Sequence, residues 1–248
     1  MPAAPNADIV QTLDDTVRQA APDRWLASRF IDDAQARADV VALYAFDHEL
    51  ARAPLVASEP LLAEIRLTWW SEALDEMFAG RPVRVHPAAQ GLAAAVGRGR
   101  LERGLLDGLI QARMDDAYQT PFAGEGDLFA YLDAAPVALM RAAAALLGEA
   151  SDLHTFQAAG RAWGLGLLTR ARSQGAPSRL PESLGEDRLR ALTAQAVRAA
   201  RQALKMLPVA QFPAVSYACL ARTYAKGRLP GLLEKQARLV WATARGRI

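Results

Sequence analysis

The chain has 248 residues, of which 52% are hydrophobic and 23% charged, and its formal net charge is +2. This length and apolar content are enough for one large domain with a substantial core. The small net charge argues against a nucleic-acid-binding protein, and no apolar run is long enough to predict a membrane-spanning helix.

The composition predicts an all-α fold, because good helix formers dominate and strand-favouring runs of Val, Ile and Thr are scarce. Residues 1–22 are expected to form an N-terminal extension or helix, and residues 23–246 a single helical domain. The apolar periodicity predicts the following helices in chain order: Gln35–Arg52, a helix between Ser58 and Gly80, Leu101–Tyr118, Leu128–Leu147, Leu153–Arg172, Glu186–Leu207, Pro213–Lys226 and Leu229–Ala244.

The helix after Ser58 carries the clearest pattern. Ser58 is a candidate N-cap, and Pro60 falls in the first turn, where proline is tolerated. One apolar stripe recurs at every fourth position: Leu61, Ile65, Trp69, Ala73 and Met77. Glu72 and Glu76 lie one turn apart and form the best carboxylate pair in the chain. That pair either binds a cation or faces solvent, and solvent exposure is the favoured interpretation.

The N-terminus lacks the basic and apolar regions of a secretory signal. The single cysteine, Cys219, rules out an intramolecular disulfide and fits a reducing compartment. The chain also lacks a His-Glu-x-x-His pattern, a Walker loop and a Gly-x-Ser-x-Gly elbow. We therefore expect a cytoplasmic protein that makes at most peripheral contact with the inner membrane.

Several segments, in a specific order, resemble the squalene/phytoene synthase family, which has an all-α isoprenoid synthase fold. The segments that carry the resemblance are Arg37, Leu43-Tyr-Ala-Phe46, Arg66-Leu-Thr-Trp-Trp-Ser-Glu72, Asp127-Leu-Phe-Ala-Tyr131, Gly160-Arg-Ala-Trp-Gly-Leu-Gly-Leu-Leu-Thr-Arg170 and Arg179-Leu-Pro181. The resemblance implies a single helical bundle of this kind.

The resemblance also implies where catalysis would occur. In active members, two aspartate-rich motifs on facing helices coordinate Mg²⁺, which grips a diphosphate leaving group. The corresponding positions here are Ala51 and Leu55 in the first motif, and Ala171 and Gly175 in the second. None of these residues has a carboxylate. We therefore expect no catalytic residue and no metal or other cofactor at these positions, and Mg²⁺ only if acids elsewhere replace them.

The resemblance places Arg37, Arg66 and Arg170 on helices that line the former diphosphate end. They either hold an anionic headgroup without metal or pair with buried acids, and the two interpretations stay open. Pocket lining and core packing are likewise both open for the aromatic residues Tyr44, Phe46, Trp69 and Trp70. Asp47 is expected to be solvated or salt-bridged rather than to bind metal.

One branch of the family resembles this chain more closely than the enzymes do. The segments Phe46-Asp-His-Glu-Leu-Ala51, Asp75-Glu-Met-Phe78 and Pro208-Val-Ala-Gln-Phe-Pro213 resemble the mitochondrial assembly factors of respiratory complex I, which also lack the metal motifs. The favoured hypothesis is a non-catalytic complex I assembly factor whose partners are complex I subunits or other assembly factors. The alternatives are an active prenyl-diphosphate transferase with relocated acids, and an isoprenoid- or lipid-binding protein.

Overall fold

The computed structural model describes residues 6–148, 153–176, 178–181 and 183–248. Within these ranges every regular element is helical and no β-strand occurs, so the all-α prediction is confirmed. Residues 1–5 of the predicted N-terminal segment lie outside the described residues, but the rest of that segment begins with a helix. Leu13 and Val17 of this first helix are buried, which anchors it to the core.

The α-helices run in chain order as follows: α1 Ala7–Ala20, α2 Pro22–Ser28, α3 Ala34–Val56, α4 Pro60–Phe78, α5 Pro87–Gly97, α6 Arg103–Ala117, α7 Glu125–Leu132, α8 Ala138–Leu147, α9 Leu153–Ser173, α10 Glu186–Ala203, α11 Pro213–Ser216, α12 Ala221–Tyr224 and α13 Leu232–Arg245. A π-helical turn at Asp133–Val137 joins α7 to α8, so the predicted helix Leu128–Leu147 is one continuous helical segment with an internal distortion at Pro136.

Helix α3 is the centre of the fold. Its residues 40–47 are all buried, and it packs against α1, α4, α5, α6 and α8. A helix that is apolar on every side must be surrounded by other elements, as α3 is. The exception to this apolar run is Asp47, whose charge therefore needs partners inside the protein.

Helix α9 approaches its neighbours closely because of its glycines. A Cβ on Gly166 would lie 2.6 Å from the carbonyl oxygen of Ala221 in α12, and one on Gly160 would lie 2.5 Å from a methyl group of Val137. Gly164 also lies at a close helix approach, since a Cβ there would lie 2.3 Å from a methyl carbon of Leu132 in α7. This approach fixes the second half of α9 against the C-terminal helices.

Several details of the sequence-based assignment were wrong, and the short helix α2 was not predicted. Helix α5 was not predicted, because residues 88–89 and 91–96 are buried. The segment therefore lacks polar residues that recur at the helical period. The predicted helix Pro213–Lys226 is instead α11, a 3₁₀ turn at Tyr217–Leu220 and α12. The expected cap of α4 is also wrong, since its N-cap position is Glu59 and no side chain caps it.

The apolar stripe of α4 is only partly in the core. Leu61 and Ile65 are 61% and 58% exposed, whereas Ala73 and Met77 are buried. The buried face at the start of the helix is formed instead by Ala63 and Leu67, which lie two positions after the stripe residues Leu61 and Ile65. The start of α4 therefore presents apolar side chains to the solvent.

One helical segment, Glu125–Leu147, is long and apolar enough to cross a membrane by length and composition. However, 56% of its most apolar window is buried inside the fold, and Leu139 and Met140 are fully enclosed. Core helices of globular proteins show the same features, so the segment is explained by its packing.

The close approach of α9 to α12 predicts the effect of a single added methyl group. Gly166→Ala should destabilise the protein by about 1–3 kcal/mol, because the new Cβ would meet backbone that cannot move aside easily. Gly104→Ala in α6 is the control, since a Cβ there meets nothing within 4 Å and should stabilise the helix slightly. Urea denaturation measures both variants, and equal effects would contradict the packing argument.

Candidate functional site

A cavity of about 420 Å³ opens at the end of the bundle where α2, α3, α6, α9 and α13 meet. Ala51, at the first position of the first expected motif, lines this cavity. Leu55, one turn further on, is 80% exposed. In the second expected motif, Ala171 is half-buried, and Gly175 follows α9 with a positive φ of 72°. The four positions therefore supply no oxygen ligand.

Charged side chains nevertheless line the cavity. Asp47 lies one turn before Ala51 on α3 and is 2% exposed. Arg24 of α2 donates to it at 2.5 Å, and Arg113 of α6 donates at 3.3 Å. Burial alone would raise the pKa of Asp47, but the two guanidinium groups outweigh this effect and hold its pKa below the ordinary value. Asp47 is thus an ionised, doubly paired carboxylate, as the salt-bridged interpretation predicted.

The network around Asp47 extends away from the cavity through Arg113. The same guanidinium donates to Asp116 at 2.9 Å, and Asp116 also accepts from Arg179 at 3.1 Å and from the Tyr131 hydroxyl at 3.0 Å. Burial is the main cause that raises the pKa of Tyr131 to about 12. This network holds Arg113 in place from both sides, so its position at the cavity is fixed.

A second ion pair lies on the opposite side of the cavity. Lys235 of α13 is 8% exposed, and its Nζ lies 2.7 Å from a carboxylate oxygen of Asp23. The Tyr224 hydroxyl donates to the other oxygen of Asp23. Burial and the nearby Asp23 charge both raise the pKa of Tyr224, so this phenol stays protonated. Both oxygens of Asp23 are therefore engaged.

Arg170 differs from the other cavity cations. Among the described residues no carboxylate contacts it, and its guanidinium stacks over the ring of Tyr224 at 5.0 Å from the centroid. Its Nε lies buried and makes no hydrogen bond within the part of the chain that the structure describes. The cavity is thus lined by four cations (Arg24, Arg113, Arg170 and Lys235) but two carboxylates (Asp23 and Asp47).

The donor set does not fit Mg²⁺. This ion needs near-octahedral oxygen coordination, and both carboxylates of the cavity are already bound by arginine, lysine or tyrosine. An excess of fixed positive charge would also repel a divalent cation. The described residues contain no group of three or more acids, histidines or cysteines that could hold a metal ion. The chemistry of the cavity instead favours anions.

The structure does not bring the three predicted arginines together, and the expectation that they share one site is wrong. Arg170 lines the central cavity, whereas Arg66 lines a groove with Trp69 and Trp70 between α3 and α4. Arg37 lines a third cavity between α1, α3 and α5, where it donates to the Ile31 carbonyl at 2.9 Å. Arg37 and Arg66 thus belong to two other cavities, each of which is separate from the one that Arg170 lines.

The predicted aromatic residues also separate. Tyr44 and Phe46 are 1% and 0% exposed and belong to the core, although the Tyr44 ring lies 5.8 Å beneath the guanidinium of Arg24. Trp69 and Trp70 do line a pocket, but it is the α3–α4 groove. Their rings are packed edge to face at 4.9 Å.

Sequence reasoning missed four charged residues of the cavity: Asp23, Arg24, Arg113 and Lys235. They come from α2, α6 and α13, so no local spacing connects them. The sequence signal that could have found them is the apolar run 40–46, which is followed by Asp47. A carboxylate buried at that position requires cations from other elements.

The other candidate metal ligands are occupied as well. Arg84 donates to Glu72 at 2.9 Å and to Glu76 at 2.8 Å, so one guanidinium joins the two carboxylates. The pKa of Glu76 is lowered, mainly by its hydrogen bond to Arg84. Glu72 and Glu76 of α4 thus bind the loop that carries Arg84.

The doubly paired Asp47 predicts a large stability effect. Asp47→Asn should destabilise the protein by about 3–5 kcal/mol, because Arg24 would keep its charge without a buried counterion and Arg113 would keep only Asp116. Glu72→Gln is the control, since its side chain is 59% exposed and its ion pair should contribute little. Chemical denaturation at neutral pH measures both, and a small effect of Asp47→Asn would contradict the central role of the pair.

The pH dependence has a definite sign. The folded-state pKa of Asp47 lies below its ordinary value of 3.8, so its contribution to stability is fully present above that value. The contribution is lost as the pH falls through the folded-state pKa. The stability difference between the wild type and Asp47→Asn should therefore shrink in acid, and denaturation curves at several pH values check this. A difference that stays constant with pH would show that the charge of Asp47 does not cause the loss of stability in Asp47→Asn.

Comparison with known proteins agrees with the fold. The structure is similar to a dehydrosqualene synthase solved in complex with ligand, with a TM-score of 0.76, 15% identity and coverage of 96% of both chains. It is also similar to the squalene synthase HpnC from Alicyclobacillus acidocaldarius, with a TM-score of 0.70, 15% identity and coverage of 96% of this chain and 94% of that one. No curated protein matches the sequence. The squalene/phytoene synthase family model matches residues 17–174, more than half of the chain, and this protein belongs to that family.

Proposed function

We propose that this protein is a non-catalytic member of the squalene/phytoene synthase family that acts as an assembly factor for respiratory complex I. The observation that carries the loss of catalysis is the cavity: alanine stands at a motif position there, and four cations outnumber two carboxylates that are already paired. A diphosphate leaving group that needs Mg²⁺ would find no oxygen ligands for the ion.

The assembly role is supported by the resemblance of Phe46–Ala51 and Pro208–Pro213 to the assembly-factor branch. An exposed apolar surface, which we call the α3–α4 corner, supports partner binding. It consists of Leu55, Val56, Leu61, Leu62 and Ile65, which are all at least 44% exposed. Clustered apolar side chains of this kind are typical of protein–protein contacts. We propose that a complex I subunit or another assembly factor covers this corner, at the inner face of the membrane.

The alternative of an active transferase with relocated acids would need Glu72 and Glu76 to bind metal. Arg84 already joins these two carboxylates, and the pair lies outside the cavity that Ala51 and Arg170 line. The isoprenoid- or lipid-binding alternative is compatible with a non-catalytic role, because the unpaired Arg170 offers a place for an anionic ligand.

The loss of catalysis predicts a negative result in a direct assay. The purified protein should release no pyrophosphate from farnesyl or geranylgeranyl diphosphate in the presence of Mg²⁺, beyond the level of a control without protein. Turnover above that control would reject the proposal. Loss of that turnover in Glu72→Gln would show that the acids of α4 act as the metal ligands.

The assembly role predicts a specific defect in cells. Deletion of the gene should reduce the amount of assembled complex I, while succinate dehydrogenase, a respiratory enzyme that serves as the control, stays constant. Native gels stained for activity measure both complexes. Unchanged complex I would reject the assembly role.

Complementation tests the proposed surface. Leu61→Glu places a charge in the α3–α4 corner and should fail to restore complex I, whereas Met206→Glu, at a residue 87% exposed outside that corner, should restore it. Equal restoration by both variants would exclude the corner as the partner surface.

A further inference from the structure

Helix α13 carries apolar side chains on the face that it turns to the solvent. Leu233 is 81% exposed, and Val240 and Trp241 are each 53% exposed. Leu233 and Val240 are two helical turns apart, and Trp241 lies beside Val240, so the three side chains form one surface, which we call the outer face of α13. Leu239 and Ala242, on the other side, are fully buried and hold the helix against the bundle. Exposed apolar side chains that cluster in this way mark a contact surface.

The charge of the C-terminal segment differs from that of the rest of the chain. Residues 221–248 contain seven basic residues and one acidic residue, Glu234, so their formal net charge is +6. The first 220 residues together have a formal net charge of −4, since the whole chain has +2. A surface with such an excess of positive charge attracts anionic partners.

The excess positive charge lies at the surface. Lys235 is the buried member of the basic residues in this segment, and the others are exposed: Arg222, Lys226, Arg228, Arg238, Arg245 and Arg247. Arg228 and Arg238 both contact Glu234, so one carboxylate serves two guanidinium groups. Arg238 and Arg245 are two turns apart and therefore lie on the same flank of the outer face.

Trp241 indicates the kind of anionic partner. Arg245, one turn further on, places its guanidinium over the Trp241 ring at 4.8 Å from the centroid. Both side chains are amphipathic and are favoured at the boundary between lipid headgroups and acyl chains. Helices that have Trp and Leu on one face and arginine beside it lie flat on anionic membranes.

The shape of the surface also favours a membrane. A protein partner typically buries its most important side chains in pockets, and the groove between α3 and α4 offers such a pocket at the α3–α4 corner. The outer face of α13 instead presents its own apolar side chains outward from a helix. A lipid bilayer accepts protruding side chains without a matching pocket, because its headgroups can move apart.

We propose that the outer face of α13 docks the protein onto an anionic lipid bilayer. Leu233, Val240 and Trp241 insert between the headgroups, while Arg238 and Arg245 contact the lipid phosphates. The inference rests on the proposed function for the place of the protein at the inner face of the membrane, and it assigns that contact to a surface separate from the α3–α4 corner.

Co-sedimentation of the full-length protein with lipid vesicles tests the surface. The protein should bind vesicles made of equal parts of phosphatidylcholine and phosphatidylglycerol. It should bind vesicles of phosphatidylcholine alone at least about tenfold more weakly, because these offer no net negative charge. Binding to the anionic vesicles should also weaken as the salt concentration rises, since salt screens the attraction.

Variants locate the contact on α13. Leu233→Glu should weaken binding to the anionic vesicles by at least about tenfold, because it removes an inserted apolar side chain and adds a negative charge. Leu61→Glu is the matched control, since it makes the same exchange at a residue 61% exposed in the α3–α4 corner and should leave vesicle binding nearly unchanged. Arg245→Gln should weaken binding about fivefold, the loss expected from one surface charge. Circular dichroism shows that each variant is folded.

Several outcomes would overturn the inference. These are the absence of binding to anionic vesicles, equal binding to both kinds of vesicle, and equal weakening by Leu233→Glu and Leu61→Glu. If Leu233→Glu keeps its vesicle binding but fails to restore complex I in the deletion strain, the outer face binds a protein and the inference is wrong. The vesicle assay needs no complex I, so its failure is distinguishable from a failure of the assembly role, which the deletion strain reports.

Discussion

The ion pairs of Asp47 with Arg24 and Arg113 connect three helices at the centre of the protein. A carboxylate that is 2% exposed cannot stay ionised without counterions, so α2 and α6 must present their arginines to α3. The second network, around Asp116, holds Arg113 from its other side. The shape and charge of the cavity follow from these constraints, because the same side chains form its walls.

The cavity is lined by Ala51, the first position of the first expected metal motif, and its fixed charges favour an anion over a metal ion. A metal site concentrates carboxylates and lets the bound ion supply positive charge. In this chain the positive charge belongs to the protein itself, in Arg24, Arg113, Arg170 and Lys235. Lys235 comes from α13, and no carboxylate of the described residues contacts Arg170, so the cavity has more fixed positive than negative charge.

Local patterns were enough to predict most of the long helices that have a polar face. The buried α5 escaped because its alanine-rich sequence has no such face, and α2 escaped because seven residues show too little periodicity. The residues Ala51 and Ala171 at the expected motif positions could also be read from the sequence. The cavities that Arg37 and Arg66 line could not be predicted from the sequence. A motif fixes which helix carries a residue, but not which neighbouring helix its side chain faces. Asp23 and Lys235 are 212 positions apart in the chain, and only tertiary packing brings them together.

In the proposed function, fixed cations rather than bound metal set the chemistry of this cavity. A direct test is to soak crystals with pyrophosphate and Mn²⁺ and to collect data at the manganese absorption edge. We expect phosphate density against Arg170 and no anomalous peak in the cavity. A manganese peak coordinated by Asp23 or Asp47, with Lys235 or Arg24 displaced, would contradict it.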